Sequence, residues 1–238
     1  MRGIQYAEAP RLNTTVSGYW IARSSRAMTA LFVLSINDAD RLDFFGETDL
    51  TEIADSYVCG IADAPLLGDT IGRTLDQAAR RWAKREALVS PSHDVRWTWA
   101  ELAARVDALA AGFLALGLER GARIGVWSLN RPEWTLTQFA AAKAGLVLVT
   151  INPAYRLSEL EFALAKVGCA ALVTATAFKT SDYIGMLNTL LPELATATPG
   201  ELQAARLPHL RAVIQIGGPA ASGTIPFGAV AGMGNARH

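Results

Sequence analysis

The sequence predicts an α/β protein: a mainly parallel sheet with flanking helices, preceded by a small β-hairpin. Three observations carry that expectation. From Thr98 onward the apolar periodicity alternates helix, strand, helix, strand through four rounds, a pattern that implies right-handed crossovers between parallel strands. The run Leu146–Ile151 is continuously apolar and of strand length, as suits a parallel strand covered on both faces. Three hydroxyl residues stand three positions before a Glu or Gln, the spacing of a capping box at a helix start. The parallel strands are expected to include 123–127, 146–151 and 170–174.

Each element has its own local reason. Thr74 and Gln77 form the first capping-box pair, and Leu75, Ala78, Ala79 and Trp82 then recur on one helical face. Glu86 to Ser90 and Val95 to Thr98 read as short strands joined by the turn residues 91–94, hence a hairpin. Thr98 and Glu101 open a second helix that buries Leu102, Val106, Leu109, Phe113 and Leu116 and ends at Gly117. Strand Arg123–Trp127 follows. Pro132 and Glu133 suit the first turn of a helix, where a missing N–H costs nothing, and that helix stops at Gly145. Ser158 and Glu161 mark the next helix, which ends near Gly168. A strand at Ala170–Thr174, a helix at Ser181–Leu191 and a strand at Ala212–Ile216 complete the pattern. Residues 1–55 read as an irregular leader, 56–216 as the folded unit, and 217–238, rich in Gly, Ala and Pro, as a flexible tail.

Composition excludes several function classes. Lys+Arg and Asp+Glu each number 22, so there is no basic excess for broad capture of nucleic acid. The two cysteines, Cys59 and Cys169, cannot form a disulfide scaffold, and a reducing compartment is expected. The apolar stretch Ala27 to Ile36 is too short to span a bilayer, so no transmembrane segment is expected. A cytoplasmic location follows. Mitochondria are the alternative, because Arg2, Arg11, Arg23 and Arg26 lie among Ser and Thr with Glu8 the single acid before Asp38.

Few residues suggest chemistry. Gly117, Gly121 and Gly125 lack the spacing of a dinucleotide fingerprint and lie between a helix and the following strand, so they read as a helix stop and a turn. Ser222 to Pro226 looks like a phosphate loop, but no lysine follows it. His93, His209 and His238 have no partner at metal-ligand spacing. Cys169 opens a buried strand as a small hydrophobe. Trp82, Trp97, Trp99, Trp127 and Trp134 follow the apolar period and read as core. Lys179 falls after a strand at the carboxyl edge of the expected sheet, where ligands bind in open α/β folds, although a solvated loop lysine is the simpler reading.

Several stretches together carry a family resemblance: Pro65–Thr70, Leu88–Thr98 with Glu101-Leu102, Gly121–Gly125, Asn130–Trp134 and Ala144-Gly145. Above all there is Ile151-Asn-Pro-Ala-Tyr155 followed by Glu159–Leu164, with Val167–Ala170 and Phe178–Thr180 in register. With these residues the chain resembles the N-terminal region of AMP-forming acyl-CoA synthetases, of the adenylate-forming superfamily, and most of all the medium-chain fatty-acid group. The resemblance implies a partial N-terminal domain of the adenylate-forming fold. It also implies a ligase that activates a fatty acid with ATP and Mg²⁺ and passes the acyl group to coenzyme A. Asn152, Pro153 and Tyr155 match a family motif, as a structural turn. The family's Ser/Thr/Gly-rich phosphate loop ending in Pro-Lys, its Tyr-Gly-x-Thr-Glu motif, its ribose-binding aspartate and its C-terminal lysine have no counterpart in these 238 residues. No catalytic, cofactor-binding or metal residue is therefore expected here, and no bound cofactor. The expectation is a truncated synthetase, inactive alone and partnered by a complementary or full-length synthetase chain. The alternative is a regulatory module docking on a full-length synthetase.

Overall fold

The first helix, α1 (Ile71–Arg81), begins where the Thr70 hydroxyl accepts from Arg73 N at 3.2 Å. The computed structural model describes residues 67–234; the expectations for the leader 1–55, Cys59 and His238 lie outside the described residues. The observed cap, Thr70, lies four residues before the expected one, Thr74. Thr74 is already helical, and Gln77 reaches back to the Asp69 carboxylate at 2.7 Å instead.

The hairpin forms as expected. Strands β1 (Glu86–Ser90) and β2 (Val95–Thr98) pair antiparallel across a 3-10 turn at Pro91–His93. Helix α2 (Trp99–Ala115) follows with a complete capping box. Thr98 Oγ1 accepts from Glu101 N at 3.3 Å, and Glu101 Oε2 accepts from Thr98 N at 2.8 Å. That backbone bond holds the Glu101 carboxyl below its ordinary range.

Strands β3 (Arg123–Trp127), β4 (Val147–Thr150), β5 (Cys169–Ala175), β8 (Ala212–Ile216) and β9 (Ile225–Pro226) make one parallel sheet in the order β4-β3-β5-β8-β9. Between β5 and β8 the chain makes a two-residue hairpin, β6 (Ala177–Phe178) with β7 (Ser181–Asp182), and helix α5 (Tyr183–Leu190). Helices α3 (Pro132–Lys143) and α4 (Leu157–Val167) are the crossovers on either side of β4.

The strands sort their side chains with period two. Ile124, Val126, Ala171, Val173, Ala212 and Ile214 face the helices α2 and α3 in one core. Trp127, Cys169, Leu172 and Val213 face Leu160, Leu164, Leu187 and Leu190 of α4 and α5 in the other. α1 packs outside α2 and α3, where Lys143 bridges Asp76 and Asp107.

Three local expectations meet a different outcome. β4 is the edge strand, not a covered one, and Val147 is 49% exposed. α4 starts at Leu157, with Glu159 Oε2 accepting from Arg156 N at 2.8 Å, so the Ser158–Glu161 spacing lies one step inside the helix. The segment expected as a flexible tail is folded through Gly234: β9 joins the sheet, and α6 (Phe227–Met233) packs on α2 with Val230 fully buried.

Candidate functional site

The sheet order sets the place where a site is expected. β3 leads by α3 to β4 on one side, while β5 leads to β8 on the other, so the direction of winding reverses between β3 and β5. In open α/β sheets the crevice at that reversal, at the carboxyl ends of the strands, is the usual binding position. Trp127 ends β3 and Thr174-Ala175 end β5, and the turn at Asn152–Tyr155 follows the neighbouring β4.

That turn is heavily anchored. Asn152 Oδ1 accepts from Ala154 N at 2.9 Å, and the Asn152 carbonyl accepts from Tyr155 N at 3.0 Å, which closes the turn on itself. The same carbonyl accepts from Trp127 Nε1 at 3.2 Å. The Tyr183 hydroxyl donates to the Pro153 carbonyl at 2.5 Å. The Trp127 and Tyr183 rings stack with centroids 3.6 Å apart and planes 8° from parallel. Arg156 Nη1 donates to Ser181 Oγ at 2.6 Å on the next side. Burial pushes the Tyr183 phenol up to about 12 and the Cys169 thiol up to about 11. Asn152, Pro153 and Tyr155 therefore sit together in one turn, and Tyr155 packs against the second core.

Trp127, Tyr183, Arg156 and Ser181 were not singled out from the sequence as parts of this constellation. Trp127 and Tyr183 are 56 positions apart in the chain, and no spacing rule joins a strand end to a later helix start. The available signal was weak: an indole with a polar N–H at the carboxyl end of a buried strand requires an acceptor nearby.

The other singled-out residues stay separate. Lys179 is in the β6–β7 turn with φ 53°, its ammonium over the Phe178 ring at 5.3 Å. His93 Nδ1 shares hydrogen bonds with Ser90 and Ser92. His209 lies beside Gly168, which ends α4 with φ 59°. The loop 217–224 that leads into the Ser222–Pro226 stretch is wrapped around Gln215, which touches that stretch at Thr224. That side chain donates to the carbonyls of Gly217 at 2.8 Å and Pro219 at 2.7 Å, and accepts from Ala221 N at 3.0 Å and Thr224 Oγ1 at 3.3 Å.

Among the described residues no group of three or more His, Cys, Asp or Glu converges on a point. Arg131, at the mouth of the crevice, is held by Glu133 at 2.8 Å, and the whole Gln215 amide is committed to its own loop.

Residues 75–224 match the family of AMP-binding enzymes. The chain is 48% identical over 159 residues to "Medium-chain acyl-CoA ligase ACSF2, mitochondrial" of Danio rerio, covering 67% of this chain and 26% of that protein. It is 44% identical over 183 residues to the Homo sapiens protein of the same name, covering 77% and 30%. It thus spans less than a third of the length of these relatives. Among solved structures, the anthranilate CoA ligase AuaEII in complex with anthranoyl-AMP has the same fold, at TM-score 0.58 and 20% identity over 72% of this chain and 29% of that one. With its sheet order, its helical layers and its residues 75–224 all of that pattern, this chain belongs to the AMP-binding enzyme family.

Proposed function

We propose that this chain supplies the N-terminal α/β unit of a fatty acyl-CoA ligase, in which a carboxylate attacks ATP to give an acyl-adenylate and pyrophosphate, and the thiol of coenzyme A then displaces AMP to give the acyl-CoA. The observation that carries the reading is the 48% identity to a medium-chain acyl-CoA ligase across the strands and turns just described. The anchored Asn152–Tyr155 turn is the scaffold's contribution: it fixes the carboxyl edge of β4 to α5.

The 238 residues do not complete adenylation by themselves in this reading. Transfer of the adenylyl group from ATP to a carboxylate, with pyrophosphate leaving, needs preorganised cations and a metal where charge develops. The chain's four lysines are Lys84, Lys143, Lys166 and Lys179. Lys143 is bound by two aspartates, while Lys166 and Lys179 each lie over a neighbouring phenylalanine ring. ATP, Mg²⁺ and coenzyme A belong to the complete enzyme, with the missing groups brought by a complementary synthetase segment. The relatives' names favour mitochondria over the cytoplasm, and a fluorescent fusion carrying residues 1–55 tests that address. Among the described residues no helix is long and apolar enough to cross a membrane.

The functional test is ATP–pyrophosphate exchange with octanoate, on protein free of host synthetases. The purified chain should show no exchange above background. Exchange that disappears in Lys179→Ala would refute the assignment.

A further inference from the structure

One edge of the five-stranded sheet has no partner among the described residues. β4 bonds inward to β3 through alternate residues: Val147 N donates to the Ala122 carbonyl at 2.9 Å and Ile151 N to the Val126 carbonyl at 3.0 Å. By the alternation of a parallel ladder, the N–H and C=O groups of Leu148 and Thr150 point away from the sheet. Among the described residues no strand takes them up. Unlike managed edges, this strand carries no charge, proline or bulge; its sequence is Val-Leu-Val-Thr.

Beside this edge, β4 and α4 enclose an open groove of about 440 Å³, lined by Val149, Ile151, Tyr155, Phe162 and Val167. Phe162 is 65% exposed there, and with Val149, Ile151 and Val167 it gives the groove an apolar lining. Glu159 and Lys166 flank it on the same helix, three residues before and four after, both exposed. The Lys166 ammonium lies 5.6 Å from the Phe162 ring centre.

We propose that this face binds a second copy of the chain through a two-fold axis passing by Val149, joining two five-stranded sheets edge to edge. The register follows from the free groups. In an antiparallel pair centred on Val149, Leu148 opposes Thr150 of the second copy and Thr150 opposes its Leu148. Both are hydrogen-bonded pairs, so four new bonds satisfy every outward group. A one-residue slip would turn these groups away from each other.

The same axis sets the two α4 helices antiparallel on one face of the joined sheet. That places Phe162 toward Phe162, with Glu159 of each copy toward Lys166 of the other. An isologous contact requires this self-complementarity. A docked peptide of another sequence would not, because it has no reason to match an acid and a base spaced symmetrically about one aromatic ring.

Sedimentation equilibrium of the full chain tests the idea, with cysteine pairing as the position-specific readout. Val149→Cys places two thiols across a non-hydrogen-bonded pair with Cα atoms about 4.5 Å apart, within disulfide reach. Mild oxidation should therefore give a cross-linked dimer whose bridge mass spectrometry maps to position 149. Leu148→Cys, which faces Thr150 rather than itself, should give none. The unmodified chain should sediment at twice its 25.4 kDa mass. Phe162→Glu should weaken association more than about tenfold while leaving the circular dichroism spectrum unchanged, as expected of an aromatic at the centre of an interface.

A monomer at all concentrations would overturn the proposal, and so would aggregates of no defined stoichiometry. A dimer that survives Phe162→Glu and gives no 149–149 bridge would place the contact elsewhere and overturn it equally. None of these results depends on adenylation activity.

Discussion

Removing one oxygen from Tyr183 separates the two things this residue does. Its ring is fully buried against Trp127 in the second core, and its hydroxyl holds the Pro153 carbonyl of the Asn152–Tyr155 turn. Tyr183→Phe keeps the stack and deletes the hydrogen bond, a net loss of about 1 kcal/mol. Tyr183→Ala also removes the ring and leaves a cavity, for which large-to-small aromatic changes cost about 3–5 kcal/mol. For a chain of this size each kcal/mol lowers the melting temperature by roughly 2–4 °C. The first variant should therefore melt a few degrees low and the second roughly 6 °C low or more. The pH profile gives a second reading. Burial raises the folded phenol to about 12, whereas the unfolded phenol titrates near 10. The neutral phenol's contribution is thus complete below pH 10 and is lost as pH rises from 10 toward 12. Thermal melts from pH 8 to 12 should show wild type losing stability faster than Tyr183→Phe above pH 10. If Tyr183→Ala melts no lower than Tyr183→Phe, the ring is not part of the core. If the two pH profiles run parallel, the hydroxyl is not buried against Pro153.

Two further outcomes follow from close contacts. A Cβ added at Gly112 would stand 2.1 Å from the Val230 carbonyl oxygen, so Gly112→Ala should push α6 off α2 despite its better helix propensity. Hydrogen exchange over residues 227–233 should then rise toward that of unprotected chain, and unchanged protection would sink the α2–α6 contact. Cys169 is buried and its thiol is raised to about 11, so iodoacetamide at pH 8 should leave it unmodified in the native protein and label it fully in denaturant. Rapid native labelling mapped to Cys169 would contradict the packing of β5.

Where local rules and tertiary packing agreed, the sequence was readable almost to the residue. The hairpin strands, β3 and β8 fall where their apolar runs and turn residues put them, and the Thr98–Glu101 box closes as its spacing implies. One misreading occurs where two hydroxyl residues compete for one helix end. Thr70 and Thr74 both offer a cap for the first helix, and the earlier one is used: its hydroxyl accepts from Arg73 N, Asp69 beside it holds Gln77, and Thr74 falls within the first turn. The apolar run of β4 looked like a covered strand because its composition matches one. Position in a sheet is set by the order of crossovers, which the composition of one strand does not encode. The Asn152–Tyr155 turn was legible as a family feature. Its anchors were not, since they join residues 25, 30 and 56 positions apart in the chain.

The segment beyond Gly217 shows why composition fails in a particular way. Gly, Ala, Ser and Pro in succession have little intrinsic preference for any regular structure, so a reading from propensity returns a flexible tail. What folds this stretch comes from elsewhere in the chain. Gln215, buried at the end of β8, spends its donors on the carbonyls of Gly217 and Pro219 and its acceptor on Ala221 and Thr224. That fixes the loop so that Ile225 falls beside Ile214 as a fifth strand. Val230 then drops into the core beside the one position on α2, Gly112, where no side chain stands in its way. A buried glutamine at a strand end is thus a stronger sign of an ordered loop than the residues of the loop itself. Its amide has two donors and an acceptor that cannot be left unpaired at 3% exposure, and here only the following turn can pair them. The same commitment leaves none of the Gln215 amide free for another ligand.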